Sequence, residues 1–137
     1  MKSKRNNVRC SKHPRYTKAE MAEGKIFLRA TIRAIKNEEA KGQWPGDAIS
    51  IAPLSARAEL MFPALNQANL KALVIFRRSG GWGADLVLKN TPGLHDVIGT
   101  PDHQLYPTRE LALQHGYWLV LSVLTRSREA DCSAFVA

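Results

Sequence analysis

Cysteine is scarce in this chain of 137 residues: there are two, Cys10 and Cys132. Neither belongs to a CxxC pair, so no redox motif is present, and two cysteines are too few for a cysteine-rich zinc site. Both are expected as free thiols in a reducing compartment. Long apolar runs are also missing. The longest, Ala72 to Phe76 and Tyr117 to Leu121, stop at Arg77 and Ser122, far short of the ~18 residues of a membrane span. No apolar segment follows the N-terminal charges, which excludes a secretory leader. Pro14 interrupts the helix that an amphipathic presequence needs. The expected setting is therefore cytoplasmic, with no membrane partner.

Catalytic signatures are missing too. There is no GxSxG and no HExxH, and Gly80-Gly81-Trp82-Gly83 lacks the Lys-Ser/Thr pair that completes a phosphate loop. Cys10 and Cys132 lie in terminal segments, poor places to hold a nucleophile against a base. His95, Asp96, Asp102 and His103 are grouped in one loop, but without a spacing that fixes metal geometry. No catalytic residue, metal ligand or cofactor is expected, and the chain reads as a non-enzyme.

The most informative absence is acid at the N-terminus. Residues 1–18 carry Lys2, Lys4, Arg5, Arg9, Lys12, Arg15 and Lys18 and no Asp or Glu. These seven of 20 basic residues leave 13 against 12 acids, so residues 19–137 sum to +1 of the total +8. The basic object is the arm. An acid-free arm attracts polyanions, and residues 1–16 are expected to be a disordered basic arm.

The segment after the arm is well specified. Thr17 can cap a helix, with Glu20 closing a capping box and Tyr16 stapling onto Met21. Gly42 stands where a left-handed C-terminal cap is wanted. These signals predict one helix of about 24 residues, with Met21, Leu28, Ile32 and Ile35 on one face at ~100° per residue. Lys25, Arg29, Arg33 and Lys36 form a basic stripe on its flank about 17 Å long at ~1.5 Å per residue. Ile26 and Phe27 fall off the main apolar face, which predicts cover by several elements or by a protein partner.

Pro45 and Gly46 mark a turn after that helix, and Trp44 beside it is expected in the core. Ala48 to Ala52 alternates briefly like a strand. Two short helices, or one kinked at Pro63, are expected through Leu70, with Ser55 as a cap. Leu73 to Arg78 and Trp82 to Leu88 are β-rich runs about a glycine-containing turn, hence an antiparallel hairpin with one buried and one more polar face. Phe76 and Trp82 are expected to pack inward. A long loop reaches about Pro107, with room for a third strand near Gln104-Leu105-Tyr106. Thr108 then caps a second long helix with Glu110 in its first turn. Gly116 within it leaves a rival, a helix to His115 followed by a strand from Tyr117 to Thr125. Arg126 and Arg128 suit its C-terminal end, and residues 129–137 read as a tail.

The expected fold is α+β: a two- or three-stranded antiparallel sheet packed by two long helices, in a single domain over residues 17–128. In order of elements alone, the segment from about residue 54 resembles the α-β-β-β-α arrangement of double-stranded RNA-binding domains. The lysine-rich opening of the second helix, which those domains use on phosphates, is replaced here by Thr108-Arg109-Glu110-Leu111. The functional expectation is a small basic accessory protein. It contacts DNA or RNA backbone through the arm and the stripe (Lys25, Arg29, Arg33 and Lys36). The competing expectation is a protein-interaction adaptor or homodimer that uses Ile26 and Phe27.

Overall fold

The computed structural model describes residues 16–48, 54–90, 94, 97–100 and 104–136. Thr17 opens helix α1 (Lys18–Ala40) with the full capping box: its hydroxyl accepts from the Glu20 amide at 3.0 Å, and Glu20 accepts from the Thr17 amide at 2.9 Å. The helix ends in a Schellman motif. Gly42 takes φ +86, its amide donates to the Glu39 carbonyl at 2.9 Å, and Gln43 donates to the Glu38 carbonyl at 3.1 Å. Local chemistry thus sets both ends.

Pro45 starts a further short helix, α2 (Pro45–Ala48), rather than a plain turn. Its preset φ and missing amide suit the first helical position. Of the brief alternation expected over residues 48–52, only Ala48 lies within the described residues, and it is helical. Ser55 caps α3 (Ala56–Glu59), accepting from the Ala58 amide at 3.2 Å. Past Pro63, Asn66 caps one 3-10 turn, Gln67–Asn69, in place of a second α-helix.

Strands β1 (Leu70–Arg78) and β2 (Gly81–Leu88) pair antiparallel across the two residues Ser79 and Gly80. The third strand, β3 (Val97–Gly99), pairs with β2 through Leu86–Ile98, so the sheet order is β1-β2-β3. The expectation of a strand at Gln104 to Tyr106 is corrected here. Tyr106 makes one bridge to Trp82, with backbone bonds of 2.6 and 2.8 Å, and the β-branched pair Val97-Ile98 supplies the strand. Helix α4 (Arg109–Val136) begins at the Thr108 cap and runs unbroken through Gly116, past Arg128, to Val136. A methyl on Gly116 would stand 3.1 Å from Leu73 and 3.4 Å from Ala84, so this glycine lets α4 lie close on the sheet.

Both faces of the sheet are buried, where alternation alone suggested one. Leu73, Ile75, Ala84, Leu86 and Leu88 join Leu119 and Val123 of α4 and Leu28 and Ile35 of α1 in the main core. On the opposite face Ala72, Val74 and Val87 pack with Tyr16, and Met21 sits beside them. Asp85, 7% exposed, is a buried acid on that face and accepts from the Tyr16 hydroxyl. Trp44 is buried, as expected of a core residue.

Helix α1 covers the free edge of β1. A Cβ on Gly24 would lie 3.0 Å from the Leu73 carbonyl oxygen and from a Val74 methyl. A side chain there would have to push the helix and strand apart by a few tenths of an ångström, so glycine suits that approach. Covering an edge strand also removes a site for stray pairing. The result is an α+β domain with two long helices and a three-stranded antiparallel sheet.

Candidate nucleic-acid interface

The solvent side of α1 is where the predicted site residues meet. Lys18, Lys25, Arg29, Arg33 and Lys36 are all exposed, because the apolar seam of Leu28 and Ile35 turns the opposite side toward the core. Lys2, Lys4, Arg5, Arg9, Lys12 and Arg15 lie outside the described residues.

The four acids of α1 are each drawn to a cation. Glu20 meets Arg78 of β1 at 3.4 Å, and Glu23 meets Arg109 of α4 at 3.7 Å. Glu38 meets Lys41 at 3.3 Å, and Glu39 meets both Lys36 at 3.3 Å and Arg128 of α4 at 3.8 Å. Among the described residues, no carboxylate lies within ion-pair distance of Lys25, Arg29 or Arg33. The helix therefore presents three uncompensated cations at spacings of four, while its negative charge is neutralised at the helix edges and ends. Exposed pairs of this kind contribute little stability, about 0–1 kcal/mol each. Their consequence is the distribution of charge.

The two apolar candidates separate. Ile26 is 57% exposed and shares the solvent side with the stripe. Phe27 is partly buried against the main core, with the Arg109 guanidinium 5.2 Å from its ring centre. Burial by a second element thus accounts for Phe27, whereas Ile26 stays open.

The hairpin aromatics form no common platform. Phe76 stands opposite Gly83, and Trp82 stands opposite Arg77 one register step away, so the two rings face opposite sides of the sheet. Arg78 covers Phe76 at 4.8 Å and Arg77 lies 5.7 Å from the Trp82 ring. His115 stacks on Tyr106 with centroids 4.2 Å apart and meets Trp118 edge-on at 5.1 Å. His95 and His103 lie outside the described residues, as does Cys10. Among the described residues no group of three or more His, Cys, Asp or Glu is arranged to hold a metal, and no helix is long and apolar enough to cross a membrane.

Sequence reasoning missed a cleft at the C-terminal end of the stripe. Trp44 lies with Lys36 at 5.9 Å and Arg128 at 4.1 Å from its ring centre. Gln67, Ser127 and Leu124 line the same cleft, whose volume is about 220 Å³. Nothing in the linear chain joins these residues, since they come from α1, the link that follows it, the 3-10 turn and α4. Compared with known proteins, the chain matches no family model, no curated protein and no solved structure.

Proposed function

We propose that this chain is a small accessory protein that binds nucleic acid backbone through the solvent side of α1, together with the basic arm before it. One observation carries the reading: Lys25, Arg29 and Arg33 stand exposed in a row without a described counter-charge, while every acid of the same helix is paired. Cations held at a regular ~6 Å step by a rigid helix can neutralise successive phosphates, releasing counterions and making affinity fall steeply with salt. Such contacts position a backbone without reading bases. The acid-free sequence of residues 1–15 adds six further cations, Lys2, Lys4, Arg5, Arg9, Lys12 and Arg15, leading into that helix.

The test is binding of the full chain to mixed-sequence DNA and RNA at low and moderate salt. It is compared with a variant carrying Gln in place of the six arm cations, and with the double variant Arg29→Ala, Arg33→Ala. Salt-sensitive binding that both variants weaken supports the reading. Binding that is salt-insensitive, or unchanged in both variants, overturns it.

The exposure of Ile26 favours a second reading, a protein partner on the same side. A second copy packed face to face there brings like stripes together, which opposes self-association through α1. Light scattering at two salt concentrations separates the readings: a complex that persists in high salt belongs to the apolar contact.

A further inference from the structure

The cleft between α1, the 3-10 turn and α4 carries more than a packing role. Its walls bring together Lys36, Trp44, Asn66, Gln67, Ser127 and Arg128. Lys36 and Arg128 share one carboxylate, Glu39, at 3.3 and 3.8 Å, so two cations face a single counter-charge. Ser127 is the second observation. It is only 8% exposed, lines the cleft and, among the described residues, its hydroxyl hydrogen-bonds to no group. A buried hydroxyl without a partner is uncommon and calls for an explanation. Asn66 does not supply one, because its amide is already engaged by the Pro63 carbonyl and the Ala68 amide. Trp44 does not either, since its indole N–H donates to Thr125 at 2.8 Å.

We propose that this cleft is a phosphoryl-binding site, in which Lys36, Arg128 and the Ser127 hydroxyl donate to the oxygens of one phosphate group. A phosphoryl group offers several strong acceptors in a compact tetrahedron, matching two cationic donors and one neutral donor that converge from two helices. The exposed amide of Gln67 stands at the rim as a further donor. The volume, about 220 Å³, is many times the ~10–15 Å³ that one water needs in the same measure. The hydroxyl adds what a bare surface ion pair lacks, a fixed donor on a rigid helix. Trp44 serves as the wall that holds Arg128 in place, its indole ring being buried and anchored.

This site goes beyond the stripe, although Lys36 belongs to both. The phosphate has two sources with the same chemistry: a nucleic acid strand whose backbone follows Lys25, Arg29 and Arg33 into the cleft, or a free phosphate ester or inorganic phosphate. The experiment uses the full chain and inorganic phosphate at constant ionic strength, following the Trp44 indole and the Ser127 and Arg128 amide resonances by NMR. Phosphate is expected to shift these signals saturably, and acetate is expected not to. Ser127→Ala is expected to weaken phosphate binding about tenfold. The same change is expected to leave the free protein as stable as before or more so, because it removes a buried hydroxyl that bonds to no group among the described residues. Arg128→Gln is expected to weaken binding further, with an unchanged circular dichroism spectrum showing that the fold holds.

No saturable shift, equal response to acetate, or wild-type affinity in Ser127→Ala overturns the proposal. A mixed-sequence oligonucleotide then distinguishes the sources: if it displaces inorganic phosphate from the wild type, the strand backbone is the natural ligand. If both bind at once, the cleft takes free phosphate. Loss of oligonucleotide binding in Arg29→Ala, Arg33→Ala reports on the stripe and the phosphate titration reports on the cleft, so the two readings fail separately.

Discussion

The indole nitrogen of Trp44 donates to the Thr125 hydroxyl at 2.8 Å, across 81 residues of sequence, and so pins the chain just past α1 to the middle of α4. Trp44 is 5% exposed, and its ring lies beneath Arg128. Replacing Thr125 by Val keeps the shape and leaves a buried N–H without an acceptor. We expect a loss of about 1–3 kcal/mol in urea unfolding. A midpoint equal to that of the wild type would show that water supplies the acceptor.

Gly24 sets how near α1 comes to β1. A valine there meets the Leu73 carbonyl and the Val74 methyl at contact distances that real side chains avoid. Forcing the helix away from the strand edge is expected to cost about 1–3 kcal/mol. Exchange of the β1 backbone amides is the finer readout, since lifting the helix exposes that edge first.

The Tyr16 hydroxyl donates to buried Asp85 and ties the residue before α1 to the second sheet face. Tyr16→Phe removes a hydrogen bond to an acidic group and is expected to cost about 1.5–3 kcal/mol. For the same reason, any deletion of the basic arm has to stop before Tyr16. A truncation through residue 17 takes away core packing and the cap together, and loss of binding in that variant says nothing about charge.

Burial, and secondarily the Glu38 carboxylate, push the Tyr117 phenol above its ordinary value of 10.0. The unfolded chain therefore releases this proton at lower pH than the folded one. Tyr117 contributes no pH dependence to stability below about pH 10, and its contribution falls as pH rises beyond the unfolded value. Tyr117→Phe is expected to flatten that alkaline slope, measured as the urea midpoint across the range. An identical slope in the variant would assign the effect to other groups.

For the stripe, the expected signature is the salt dependence itself. Each phosphate contact removed by Arg29→Ala or Arg33→Ala lowers the slope of log affinity against log salt by about 0.7–0.9. Anisotropy titrations at several salt concentrations check this. A weakened affinity with an unchanged slope would point to folding damage.

Local features were legible in the sequence. Thr17, Glu20 and Gly42 fix the ends of α1 because a cap is satisfied by atoms within a few residues, and the β-branched run from Leu73 met its partner across a two-residue turn. The continuity of α4 through Gly116 was ambiguous by propensity alone. It was decided by Leu73 and Ala84, which need the missing side chain for close packing. The third strand was hidden because Val97 to Gly99 is short and its sequence neighbours Pro92, Gly93 and Pro101 are residue types that ordinarily mark turns, so its pairing depends on a β2 edge already in place.

The stripe of Lys25, Arg29, Arg33 and Lys36 follows from helical periodicity and could be counted along the chain. Which of its charges stay uncompensated could not, since Arg109, Arg78 and Arg128 reach the acids of α1 from other elements. The burial of Phe27, the pairing of the Asp85 carboxylate with Tyr16 and the placing of Ser127 and Lys36 on one cleft are likewise tertiary. Caps and periodicity draw on neighbours in the chain, whereas charge pairing and desolvation depend on which distant segments the core brings together.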